Sequence, residues 1–133
     1  MVDDRLLKVQ QWFKRADNDL KGIANNLKDT DPPTDVICFH AQQAIEKYIK
    51  GALIHFGQHI TKTHDLIFLL NSISDYIPEL LKLKNELKEI SRCAVEVRYP
   101  DIMYEPTIEE AKKAYEAALK VKDIILNKIN LNS

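Results

Sequence analysis

Cysteine is scarce. Cys38 and Cys93 are the only two in 133 residues and form no CxxC pair, which excludes a disulfide framework and a cysteine-rich zinc site. Two buried, reduced thiols are the expectation. Glycine is scarcer than usual, at Gly22, Gly51 and Gly57 alone, so neither a Walker-type nor a dinucleotide-binding glycine loop is present. No serine or cysteine sits in a nucleophile elbow, and common hydrolase chemistry has no support. No stretch approaches the ~18 uncharged apolar residues of a membrane span, and Met1-Val2-Asp3-Asp4-Arg5 is no basic lead into an apolar run. A cytoplasmic protein without a membrane partner is expected. Charge of one sign is also missing: Lys+Arg 19 against Asp+Glu 20 leaves a formal net charge of −1. The whole chain therefore has no field to gather polyanions, which argues against histone-like coating of DNA and leaves only a local basic patch open.

What is present is apolar material in helical order. Hydrophobic residues make up 45% and charged residues 29%, enough to offset chain entropy in one globular domain covering 1–133. Leu6, Val9, Phe13, Ala16, Leu20, Ile23 and Leu27 alternate steps of three and four, predicting a helix from about Asp4 to Lys28. Thr34 or Asp35 is placed to cap a second helix running to about Phe56, with Gly57 in the left-handed position beyond it. Its apolar arc is broad, from Ile37 through Ala41, Ile45, Ile49 and Leu53, as in a central helix. Thr63 is the expected cap of a short helix over Leu66, Leu69, Leu70 and Ile73. Pro78 suits the first turn of a longer one that carries Leu80, Leu83, Leu87, Ile90, Ala94 and Val97 and stops before Pro100. Thr107-Ile108-Glu109-Glu110 is a capping-box pattern opening the last helix, with Ile108, Ala111, Tyr115, Ala118, Ile125 and Ile129 along one side. The fold class is all-α: an antiparallel up-and-down helical bundle of four long helices plus one short helix.

Polar residues break the pattern at a few places. His40, Gln43, Lys47 and Lys50 follow one another on the second helix opposite its apolar arc, with Glu46 beside them. A solvated face carrying a Glu46–Lys50 pair is the plainer account; an anion or nucleotide site is the functional one. Gln42 falls inside the apolar arc, where an unpaired amide costs about 1–3 kcal/mol, and predicts a buried partner. His55 and His59 stand four apart, but Gly57 between them ends the helix and no third ligand follows, so no metal site and no cofactor are expected. His64-Asp65 places an imidazole and an acid at a helix start, where capping explains the acid. Arg98-Tyr99-Pro100-Asp101, with Tyr104 before Pro106, closes the fourth stretch. Arg98 there either complements a helix C-terminus or joins Tyr99 and Tyr104 in holding a phosphate and stacking a base.

The run Cys38-Phe39-His40-Ala41-Gln42-Gln43-Ala44-Ile45-Glu46-Lys47-Tyr48-Ile49-Lys50-Gly51-Ala52-Leu53, followed by Thr63-His64-Asp65-Leu66 and Arg98-Tyr99-Pro100, resembles the HEPN domain family. Ala16-Asp17 and Leu20 fit that family's first helix, and the order holds across nearly the whole chain. The resemblance implies a bundle of four to five helices, commonly a homodimer. Such domains are often paired with a minimal nucleotidyltransferase in a toxin–antitoxin or related system, and carry a proposed nucleotide-binding role. It makes His40, Gln43, Lys47, Lys50, His64, Asp65, Arg98, Tyr99 and Tyr104 the candidate ligand-binding residues, for a nucleotide or RNA. Many relatives are metal-independent ribonucleases with an arginine and, a few residues on, a histidine. With Arg98 as the matching arginine and catalytic candidate, the corresponding positions hold Met103, Tyr104 and Glu105. The histidine is absent, and a tyrosine, with an ordinary pKa of about 10, is a poor base. A noncatalytic binding module leads. An RNA endonuclease with a different base, and a scaffold or inhibitor of a nucleotidyltransferase, are the alternatives. The homodimer would also bury Phe39 and Ile54, which fall on the polar side of the second helix.

Overall fold

The computed structural model describes residues 4–95 and 105–129. Helix α1 spans Asp4–Asn26, α2 Thr34–His55, α3 Leu66–Ser74, α4 Lys84–Val95 and α5 Ile108–Lys128, with a 3-10 helix at Pro78–Leu83. The described residues contain no strand, so the fold is all-α. None of these helices is long and apolar enough to cross a membrane.

Helix α2 is the hub: α1, α3, α4 and α5 all pack on it. Its apolar residues at steps of three and four would fill one stripe, but Ala41, Ala44, Gly51 and Ala52 are small, so neighbours approach from several sides at once. Helices α1 and α2 run antiparallel. Lys50 lies over the Trp12 ring, Tyr48 meets Phe13 and His40 reaches Asp19, so later residues of α2 meet earlier ones of α1. One contiguous apolar cluster joins Val9, Phe13 and Ile23 of α1 to Ile45 and Ile49 of α2, Leu70 of α3, Leu87 of α4 and Val121 of α5.

The helix ends show which local signals prevailed. Gly57, at φ +79°, takes the left-handed position, and the Gln58 and Gly57 amides donate to the Leu53 and Ile54 carbonyls at 2.9 Å. That closes α2 as a Schellman turn. The start of α2 differs from expectation: Pro33, not Thr34 or Asp35, is the cap residue, without a side-chain cap. The Thr34 hydroxyl lies inside the first turn, buried and unpartnered. Thr63 does not cap α3 either. Asp65 does, accepting from the Ile67 and Phe68 amides at 3.0 and 3.2 Å, while the Thr63 hydroxyl accepts from the Asp65 amide. Two carboxylate bonds outweigh the single one a threonine would offer.

Pro78 does open a helical segment, but as a 3-10 helix that passes into α4 only at Lys84. The capping box is present in full: the Thr107 hydroxyl accepts from the Glu110 amide at 3.0 Å and the Glu110 carboxylate from the Thr107 amide at 3.1 Å. On α5, Ala111, Ala118 and Ile125 are buried as the spacing required, whereas Ile108 is exposed and Tyr115 half-buried.

Candidate functional site

From Ile37 to Leu53 every residue of α2 is buried except four: Phe39, His40, Gln43 and Lys47. They form a strip one residue wide along the seam with α1, and α1 answers it with an acid. Asp19 Oδ1 pairs with His40 Nδ1 at 3.0 Å, and Asp19 Oδ2 accepts from Lys47 Nζ at 2.7 Å. Asp19 is itself buried, so both donors are fixed on a carboxylate that is largely out of water, where charge-assisted bonds are strongest. Phe39 stays 39% exposed and meets the His40 ring edge-on, 5.8 Å between centroids.

A second acid extends the seam. Asp17 accepts from the Tyr48 hydroxyl and pairs with Lys122 Nζ at 3.0 Å, linking α1, α2 and α5. Tyr48 is fully buried. Burial, then the hydrogen bond to Asp17, then the nearby charges of Asp17, Asp19 and Asp123, push its hydroxyl far above the ordinary tyrosine range.

The stripe read from the sequence is thus divided. His40, Gln43 and Lys47 reach solvent; Lys50 and Glu46 do not, both being buried. The expectation that all five share a solvated face fails because α1 covers that part of α2, with Trp12 under the Lys50 ammonium at 5.9 Å. Lys50 Nζ stands 4.0 Å from Glu46 Oε2, and the same oxygen pairs with His64 Nδ1 at 3.1 Å. Gln42, expected to be buried with a partner, donates to the His64 carbonyl at 3.4 Å. Together these contacts tie the segment before α3 to α2. Asp65 spends its carboxylate on the α3 amides, which removes it from the ligand-binding set.

Arg98, Tyr99 and Tyr104 lie outside the described residues. Ile54 is half-buried against the core rather than presented with Phe39.

The acid that organises the seam, Asp19, was not singled out in the sequence, although a signal existed. It lies three residues after Ala16 and four before Ile23, within the apolar stripe of α1, as Gln42 lies within that of α2. A polar residue inside a buried stripe demands a partner, and for an acid that partner is a cation.

The two thiols are buried and free, as expected. Cys93 is held well above the ordinary thiol range, first by its hydrogen bond with Cys38 and then by burial. A groove of about 550 Å³ between α4 and α5 is lined by Glu89, Arg92, Cys93, Lys113 and Ala117 among others. Its charges are mixed, and it is separate from the α1–α2 seam. Among the described residues no three His, Cys, Asp or Glu side chains gather as a metal site.

Residues 9–129 match the family model for the HEPN domain. The crystal structure of TT1696 from Thermus thermophilus aligns with a TM-score of 0.76 at 24% sequence identity, covering 92% of this chain and 98% of that one. At that identity the likeness speaks for the fold. No curated protein gives a match.

Proposed function

The chain belongs to the HEPN domain family, and from that premise we propose that it is a noncatalytic binding module that takes a nucleotide by its phosphates on the α1–α2 seam. One observation carries this reading: over seventeen residues of the central helix, solvent reaches only Phe39, His40, Gln43 and Lys47. Those four supply a ring for a base, an amide, and two donors already set on an oxyanion, the Asp19 carboxylate. A phosphate oxygen asks for the same donors. Because Asp19 balances their charge, a ligand binds by exchange with the carboxylate, and affinity rests on contacts beyond one phosphate. Arg98, Tyr99 and Tyr104 belong to the proposed ligand set through the resemblance in the Arg98-Tyr99-Pro100 motif.

Calorimetry with ATP, GTP and short RNA tests the proposal. Saturable heat that is lost in Lys47→Ala and weakened in His40→Ala is expected; no saturation with any of the three rejects it. The nuclease alternative needs its own assay, incubation with mixed RNA in chelator and inspection of the ends for 2′,3′-cyclic phosphate. Cleavage that disappears in Arg98→Ala would replace the binding-module reading.

The exposure of Phe39 and Val36 on α2 supports a second reading, in which this side of the helix seats a protein, as a homodimer or against a minimal nucleotidyltransferase. Light scattering separates the first case, because a 15.4 kDa monomer at high micromolar concentration rejects the homodimer. A dimer indifferent to Phe39→Glu rejects the interface. Co-purification with the product of a neighbouring nucleotidyltransferase gene tests the other partner.

A further inference from the structure

His64 is the most exposed ion-paired side chain among the described residues, 75% accessible, and its partner Glu46 is 3% accessible. A carboxylate can only accept, so the 3.1 Å contact from His64 Nδ1 to Glu46 Oε2 requires the proton on Nδ1. The neutral imidazole then carries its lone pair on Nε2, at the edge turned from Glu46. Three contacts hold this arrangement. The Gln42 amide bonds the His64 carbonyl, Asp65 anchors the next residue as the α3 cap, and Lys50, as buried as Glu46, supplies the carboxylate's countercharge.

His40 also pairs with a carboxylate, but Asp19 is shared there with Lys47 at 2.7 Å and the ring is only one-third exposed. His59, on the same segment as His64 and exposed, has no carboxylate partner among the described residues. The chain therefore contains an oriented, solvent-facing imidazole and an unoriented one five residues away.

We propose that His64 Nε2 is a nucleophilic acceptor site for a phosphoryl group delivered by a donor with an activated P–N or acyl-phosphate bond. A carboxylate that fixes the Nδ1–H tautomer strengthens the opposite nitrogen as a nucleophile and stabilises the charge the ring gains. With phosphoramidate as donor, the Nε2 lone pair forms the new N–P bond while the donor's P–N bond breaks. Its electron pair leaves with ammonia. The ring becomes cationic with Nδ1–H still on Glu46, so the positive charge develops against a buried carboxylate. Glu46 Oε1, buried and without a hydrogen-bond donor, leaves that carboxylate less satisfied than a solvated one and more responsive to a cation beside it. Lys62, two residues before His64 and exposed, gives the segment a cation for the incoming phosphoryl oxygens.

The test is reaction of the intact chain with potassium phosphoramidate in mildly alkaline buffer, followed by site-resolved mass spectrometry and phosphorus NMR. His64 is expected to be phosphorylated at Nε2 about tenfold faster than His59 in the same molecule, and Glu46→Gln is expected to bring it to the His59 rate. His64→Gln should remove the fast site and leave the slow ones. Because His59 is an internal reference in the unaltered protein, the proposal does not depend on the Glu46 variant folding. Equal rates at His64 and His59 in the wild-type chain overturn it, as does a fast product at Nδ1.

Discussion

Gly51 lies directly against the ring of Phe13. A Cβ built on Gly51 falls 2.6 Å from Phe13 Cε1, 2.9 Å from its Cδ1 and 3.2 Å from Trp12 Cβ. The glycine is there for contact distance, since its backbone is ordinary helix. Alanine at this position gains about 1 kcal/mol of helix propensity and meets overpacking of about 1–3 kcal/mol. Gly51→Ala should therefore lower the midpoint of thermal unfolding, and Phe13→Leu in the same chain should restore part of the loss. A midpoint that rises in the single variant would mean the ring has room to turn away.

The Tyr48 hydroxyl predicts an alkaline limit to stability. Its folded-state pKa is raised, chiefly by burial, while in the unfolded chain it titrates near the ordinary value of about 10. The folded state then holds the proton more tightly, so the contribution is present below that value and is lost as pH rises above it. Absorbance titration should show one of the five tyrosines ionising only together with loss of helical circular dichroism. In Tyr48→Phe that delayed step should vanish and the alkaline slope of stability should flatten.

Asp19→Asn is expected to strengthen the proposed nucleotide binding. Removing the carboxylate charge frees His40 and Lys47 from their present partner, and the dissociation constant for ATP should fall by about tenfold, with a steeper dependence on salt. Weaker binding in this variant would show that Asp19 positions the donors more than it competes for them.

Capping makes a separate prediction for stability. Asp65→Ala removes two amide acceptors at the start of α3 and should cost about 1 kcal/mol in denaturant unfolding. The Glu46 pairing and the Gln42 bond run through His64, not Asp65, so this variant should retain the fast phosphoramidate site.

The periodicity of apolar residues was sufficient for the helices because each is long relative to its turn and the breaks fall at Pro32-Pro33, Gly57 and Pro106. Boundaries were less legible where two capping residues compete. Thr63 and Asp65 stand two apart, and the choice between them depends on where the chain leaves α2, which is a tertiary matter. The Pro78 segment reads as α-helix from Leu80, Leu83 and Leu87, since spacing by three and four does not separate a 3-10 start from an α-helical one. In the site, His40, Gln43 and Lys47 were visible as a polar stripe, while the burial of Glu46 and Lys50 was not. A helix wheel assigns faces to one helix and cannot tell that α1 lies across part of the polar face. Asp19 was missed for a related reason, because its partners sit on another helix and only its place inside an apolar stripe marked it.

The near-complete enclosure of α2 also limits how the protein can change. A substitution at almost any position between Ile37 and Leu53 alters packing against several helices at once, and such changes are removed by loss of folding before they alter recognition. Phe39, His40, Gln43 and Lys47 are the positions of that span where a new side chain meets solvent. Divergence in what this helix recognises is therefore confined to four letters of its sequence, and within that strip His40 and Lys47 can be exchanged freely only if Asp19 changes with them.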